Sequence, residues 1–352
     1  MIRLKNTLFE KNIGCGYLYF YIHFITEIVC FYFLTLVTKD SIFIWLIPFI
    51  YDGVAFVPQS LIGYLNDKFP KLNLSIIGTI LLLLSFIIYI YTNLSIYISL
   101  IILCIGNASI HVAGAEITLR NSNGKLSHSA IFVAGGSYGV ITGKLLATTI
   151  TPSIVMIFLI LTMIPFILLA HTYNSKESNC KKFDYVNKKI NYGIIIVLAV
   201  FIVIVRGYMG YGIPTGWNKT VIQNIIFYAT MGLGKALGGI LSDAYGIRKV
   251  AIFSTLAAIP LLCIGDNLML ISLIGVMLFS MTMSITLGIL VSCLKNNPGL
   301  AFGLTTIGLF LGTAPIFFIK ITNSIFNLSI IIVLSLLCTL ILSKILRGDK
   351  YD

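Results

Sequence analysis

Long apolar runs alternate with short polar turns along almost the whole chain, and the runs share one length. Stretches of about twenty residues, enough for a helix to cross the hydrocarbon core of a bilayer, occupy 14–37, 42–65, 74–91, 94–117, 129–150 and 153–170. A polar stretch follows at 171–192, and further runs fill 194–212, 220–241, 250–264, 268–290, 299–319 and 328–346. The pattern predicts an all-α membrane protein of twelve spans. It divides into a six-helix bundle over 1–170, a linker over 171–192 and a second six-helix bundle over 193–352.

The two halves echo one another. GKALGGILSDAYGIRK, 234–249, has a fainter copy in QSLIGYLNDKFPK from Gln59, and a shift of 176 residues places Gly63 on Gly239, Leu65 on Leu241 and Asp67 on Asp243. Each copy ends an apolar run with a small residue, an Asp and a tight basic turn. Pro70 stands in the first copy where the second has Gly246.

Composition agrees with a bilayer. The chain is 58% hydrophobic and 10% charged, against about 25% charged in soluble proteins. Its net charge of +12 raises nucleic acid as a partner until the placement of the charges is read. With the N-terminus inside, 18 of the 24 Lys and Arg fall on the cytoplasmic side, which is the positive-inside rule and not a nucleic-acid surface. Both termini are therefore expected in the cytoplasm. Seven scattered cysteines without a C-x-x-C pair predict neither disulfide framework nor zinc site. The first run is long and follows a polar basic stretch, so it reads as a retained helix and not as a cleaved leader.

Ionisable groups inside the runs carry the candidate chemistry, because a charge at the membrane centre costs roughly 2.5–3.5 kcal/mol and needs a partner, a proton or water. His23 and Glu27 lie four apart on one face of the first helix, with Tyr19 a turn before them. Asp52 follows Tyr51 in the second helix, above a bend expected at Pro58. Glu27 and Asp52 are candidates for proton coupling, sharing a proton or holding a cation. A metal held by His23, Glu27 and Asp52 is conceivable, but their spacing does not demand it and no metal site is expected. Lys144 in the fifth run either pairs with one of these acids or meets a substrate anion, and Arg206 in the seventh is the first choice for an anion contact. Lys235 is expected to snorkel to the interface, Glu116 and Arg120 to form a plain ion pair, and the linker to act as a tether without chemistry.

The loop at 239–249 resembles the signature G-x-L-x-D-x-x-G-x-R-K of the major facilitator superfamily, carried here by Gly239, Leu241, Asp243, Gly246, Arg248 and Lys249. Gly106, Asn107, Ala108, His111, Gly114, Phe132, Gly139 and Gly143 resemble the fosmidomycin-resistance-like branch of that superfamily, although Val112 replaces the proline associated with that site. The resemblance implies two rocking bundles around a central pocket lined by helices one, four, seven and ten. It also implies a cytoplasmic gate formed by Asp67, Gly239, Asp243, Arg248 and Lys249. Asn107 or His111 would stand in for the superfamily's usual fourth-helix Arg. Candidate substrate contacts are Tyr19, His23, Asn107, His111, Lys144 and Arg206.

The expected function is secondary active transport of a small organic molecule by a monomer in the plasma membrane. Membrane lipids would surround it, and the proton gradient would drive it with no cofactor. Export by proton antiport is the first expectation, and uptake of an anionic or zwitterionic metabolite is the alternative. A non-transporting receptor or accessory subunit is a third class, disfavoured by the absence of a sizeable soluble domain. No nucleophile–base pair or H-E-x-x-H appears, so no enzyme is expected.

Overall fold

The computed structural model describes residues 13–39, 41–42, 44–69, 72–92, 94–149, 151–173, 179–319 and 324–348. Pro70 and Lys71 of the first signature copy, the basic residues before position 13 and Lys320 lie outside them. Among the described residues, twelve helices are long and apolar enough to cross a membrane. In chain order they are α1 Gly14–Lys39, α2 Leu46–Lys68, α3 Leu74–Tyr91, α4 Ile96–Asn121, α5 Ser127–Thr148, α6 Ile154–His171, α7 Tyr192–Gly212, α8 Val221–Tyr245, α9 Ile247–Ile264, α10 Met269–Cys293, α11 Pro298–Thr313 and α12 Ser324–Ile345. The protein is a multi-pass membrane protein. Several helices outrun their apolar stretches by a turn or so: α2, α4 and α8 continue through the polar residues Asn66, Arg120 and Asp243. Those residues find partners in the fold and so do not stop the helix.

Two spans are broken. In α2 the break falls at Val57, before Pro58, as the proline dictates. The carbonyls around it are taken up locally: Gln59 Nε2 donates to Ala55 O at 2.8 Å and Thr306 Oγ1 of α11 donates to Phe56 O at 3.0 Å. In α10 the break at Met281 has no proline or glycine to announce it. There Gly238 of α8 comes so close that an added Cβ would sit 2.3 Å from Met281 O. Close backbone approach across small residues is the rule for helices in lipid, and here it coincides with the interruption.

The first six and last six helices meet along two crossings, α2 with α11 and α5 with α8. Within each half the central helix rests on a glycine-bearing partner, α1 on α5 and α7 on α11. The chain between α6 and α7 does more than tether. Cys180 and Phe183 are fully buried, the Tyr185 hydroxyl donates to Gly124 O in the α4–α5 turn, and Arg347 N donates to Tyr185 O at 2.9 Å. This segment is a strap across the end of the molecule that carries the signature loops, called the basic end below. Periodicity could not show it, because its buried residues anchor loops and helix ends, not the face of a helix.

Candidate functional site

The site begins with glycine. A Cβ at Gly136 would lie 2.5 Å from the His23 ring, and one at Gly139 would lie 2.4 Å from Phe24 O and 2.6 Å from Glu27 Cβ. The bare face of α5 therefore lets α1 settle where its two polar side chains turn toward α4. His111 Nε2 stands 3.1 Å and His23 Nε2 3.7 Å from the same oxygen, Glu27 Oε1. The two imidazoles meet edge to face with centroids 4.4 Å apart. Asn107 Nδ2, a turn before His111 on α4, reaches Glu27 Oε1 at 3.4 Å, Cys30 Sγ at 3.2 Å and Tyr51 Oη at 3.2 Å. It ties α4 to α1 and α2. Phe302 of α11 lies parallel to the His111 ring at 6.5 Å, so the cluster borders the second half of the protein.

The other predicted contacts are placed as follows. Tyr19 is buried with its hydroxyl bonded to Ser75 of α3 at 2.7 Å, so its hydroxyl is engaged within the first half. Asp52 is buried and its carboxylate has no hydrogen-bond or ion-pair partner among the described residues; Glu27 and Lys144 are the charges close enough to act on it. Glu27 and Asp52 therefore feel each other without sharing a hydrogen bond. Lys144 has no carboxylate within 4 Å among the described residues. Its ammonium donates to Tyr228 Oη of α8 at 3.0 Å and lies over the Phe31 and Tyr228 rings. Lys235 does not snorkel: its ammonium crosses from α8 to Ser137 Oγ of α5 at 2.8 Å, with Arg206 and Glu27 as its charged neighbours. The small residues on α5 leave that path open, and the hydroxyl takes the place of the membrane interface.

Arg206 is buried, and its guanidinium makes no hydrogen bond or ion pair among the described residues. A narrow space beside it is lined by Thr255, Phe279, Thr282, Ser335 and Cys338, all of the second half.

At the basic end the two signature loops are interlocked. Asp243, at the end of α8, accepts from Leu126 N at 2.9 Å and Ser127 N at 2.8 Å, the first turn of α5. Asp67, at the end of α2, accepts from Gly299 N at 3.1 Å and Leu300 N at 2.9 Å, the first turn of α11. Each carboxylate thus caps a helix of the opposite half, satisfying orphan N–H groups and the positive end of the helix dipole. Glycines one turn earlier permit the approach: a Cβ at Gly63 would meet Gly299 O at 2.3 Å, and one at Gly239 would meet the Ala130 Cβ at 2.4 Å. Gly246 follows with φ 97°, a conformation that favours glycine.

Two further basic residues make contacts at this end. Arg248 donates to Ser343 O of α12 at 3.3 Å, a contact within its own half. Arg120 takes a larger part than a plain pair with Glu116, because it reaches Glu116 Oε1 at 2.6 Å and Asp67 Oδ1 at 3.4 Å while Asn66 donates to the other Glu116 oxygen. The signal for this was the shared depth of Asp67, Glu116 and Arg120 at one end of adjacent helices. The far end of the same α2–α11 crossing is closed differently, by Trp45 against Phe318 and by Phe49 against Phe310, Phe317 and Phe318.

No family model matches the chain, and no curated protein does. Solved structures do. The chain is similar to the Escherichia coli fucose:proton symporter FucP, with 16% identity, a TM-score of 0.59 and coverage of 93% of this chain and 96% of that one. It is similar to the human organic anion transporter MFSD10 (TETRAN), with 11% identity, a TM-score of 0.62 and coverage of 94% and 99%. It is also similar to the major facilitator superfamily proton:xylose symporter XylE bound to 6-bromo-6-deoxy-D-glucose, with 13% identity, a TM-score of 0.61 and coverage of 96% and 94%. The fold is that of the major facilitator superfamily.

Proposed function

We propose that the chain is a secondary active transporter of the plasma membrane that moves a small organic anion, coupled to protons, by rocking its two halves about the mid-membrane seam. The observation that carries this reading is a pair of buried, opposite charges without partners among the described residues: Arg206 without an acceptor and Asp52 without a donor. Each costs roughly 2.5–3.5 kcal/mol at the membrane centre, against a total stability that is usually about 5–15 kcal/mol. A cargo anion at Arg206 and a proton at Asp52 relieve both. Lys144 and Lys235 add positive charge to the seam, and their neutral partners Tyr228 and Ser137 belong to the opposite half.

The similarity to two proton symporters and an organic anion transporter supports the same pairing of proton and anion. The proton gradient is the energy source, the basic end and both termini face the cytoplasm, and the protein acts as a monomer. Export by antiport is the first direction to test, on the resemblance to the fosmidomycin-resistance-like branch. Uptake of an anionic or zwitterionic metabolite is the second, and the three cations suit an anionic cargo in either direction.

The test is a thermal-shift ligand screen on purified protein at mildly acidic and mildly alkaline pH, with Arg206→Met and Lys144→Met in parallel. Ligands that bind only the folded state raise its melting temperature. Anionic hits that vanish in Arg206→Met are expected; hits that are neutral or cationic and survive in both variants would overturn the anion assignment. Retention of pH-driven flux by Asp52→Asn would remove the proton from Asp52.

A further inference from the structure

The cluster of His23, Glu27 and His111 has more acceptors than donors. His23 Nδ1 lies 2.9 Å from Phe132 O and His111 Nδ1 lies 2.9 Å from Asn107 O. A carbonyl only accepts, so each Nδ1 carries the ring's hydrogen, and each neutral ring then presents a bare Nε2 lone pair. Both lone pairs point at a carboxylate oxygen, itself an acceptor. One weak donor, Asn107 Nδ2 at 3.4 Å, stands among the three. Something positive belongs between them.

A single proton closes only one of the two imidazole–carboxylate contacts. A second would place two imidazolium rings edge to face at 4.4 Å, where like charges repel. One divalent ion satisfies all three atoms at once. Bonds of about 2.0–2.2 Å to nitrogen and oxygen in a tetrahedral arrangement put neighbouring ligand atoms about 3.4 Å apart. The observed separations of 3.1 and 3.7 Å bracket that value, and all three ligand atoms lie within 4.8 Å of one another.

The outer shell has the form that metal-binding histidines require. Each ring is fixed by an Nδ1–H bond to a backbone carbonyl, which sets the tautomer and aims Nε2 inward. The Glu27 carboxylate supplies negative charge at the ion itself, and the nearby ammonium of Lys235 is engaged by Ser137. We infer that His23 Nε2, His111 Nε2 and the Glu27 carboxylate form a binding site for a divalent transition-metal ion of the zinc, cobalt or nickel kind, whose imidazole-rich donor set suits those ions over magnesium or calcium. This inference stands independently of the transport reading.

The experiment titrates purified protein, stripped with EDTA and desalted into metal-free detergent buffer, with Co2+ followed by Zn2+ competition. One cobalt per chain is expected, with the visible absorption of a low-coordinate site that zinc abolishes. His23→Gln, His111→Gln and Glu27→Gln should each lower affinity by at least the roughly 10–100-fold that losing even an outer-shell partner costs. His171→Gln, at the end of α6 beside Asn73, should leave affinity unchanged. Gel filtration identifies which variants are folded, and any one folded ligand variant suffices for the comparison. Wild type that is folded and binds neither ion, or ligand variants that bind as tightly as wild type, would overturn the site. In proteoliposomes containing a zinc indicator, accumulation identifies the ion as cargo and retention on the protein identifies it as resident; either outcome keeps the site. A protein that binds cobalt yet moves no organic anion removes the transport reading alone.

Discussion

Replacing Asp243 by Asn leaves the shape of the latch and changes its chemistry. Both carboxylate oxygens accept backbone N–H groups, from Leu126 and Ser127; in the amide one of these positions becomes an NH2 that faces another donor. One charge-assisted hydrogen bond is lost, worth about 1.5–3 kcal/mol. Removing the negative charge from the start of α5 forfeits a further 0.3–1 kcal/mol or so. The closed basic end should therefore weaken by about 2–4 kcal/mol, a shift of roughly 30- to 900-fold in the ratio of closed to open forms. Thr306 offers a reporter, being 3% exposed and bonded to Phe56 O across the α2–α11 crossing. In a background with serine at the native cysteine positions, Thr306→Cys should react slowly with a maleimide in detergent. Adding Asp243→Asn should accelerate the reaction by a large part of that factor, up to the rate of a freely exposed thiol. An unchanged rate in a folded Asp243→Asn protein would refute the latch energetics.

Three further outcomes are expected. Asp67→Asn should accelerate the same reporter, and the double variant should exceed either single one, because the two caps lie on different helix pairs. Gly139→Ala should lower thermal stability by the roughly 1–3 kcal/mol typical of overpacking, since its Cβ would meet Phe24 O at 2.4 Å; a melting temperature equal to wild type in detergent would contradict the α1–α5 fit. Tyr185→Phe removes the strap's hydrogen bond to Gly124 O and should cost about 0.5–1.5 kcal/mol, seen as faster proteolysis of the segment around residues 179–190; identical cleavage rates would show that this hydroxyl does not hold the strap.

The latch was the most legible part of the chain. Its aspartates, glycines and spacing repeat at a fixed offset, and a loop that must meet the other half leaves that imprint twice. The interruption of α2 before Pro58 was legible because proline acts locally. Pairing inside the bilayer was harder to read. Composition marks Glu27, Asp52, Lys144 and Arg206 as needing an answer, but which neighbour supplies it depends on helix rotation. Spacing leaves Asp52 and Lys144 equally open as partners of Glu27, whereas the fold gives Glu27 to His111, eighty-four positions away. The interruption of α10 at Met281 left no trace either: no proline or glycine marks it, and what lies against it is Gly238 of a different helix.

The crossed capping also sets an order of assembly. α5 begins at Ser127, yet the carboxylate that closes its first turn is 116 residues further along the chain. All of the first six helices have therefore been made before the carboxylate that caps α5 exists, and the opening turn of α5 needs other partners for its N–H groups in that interval. Asp67 waits longer still, for a backbone N–H 233 residues later at Leu300. Joining the two halves is thus a late event of biosynthesis, one that no fragment ending before α11 can complete.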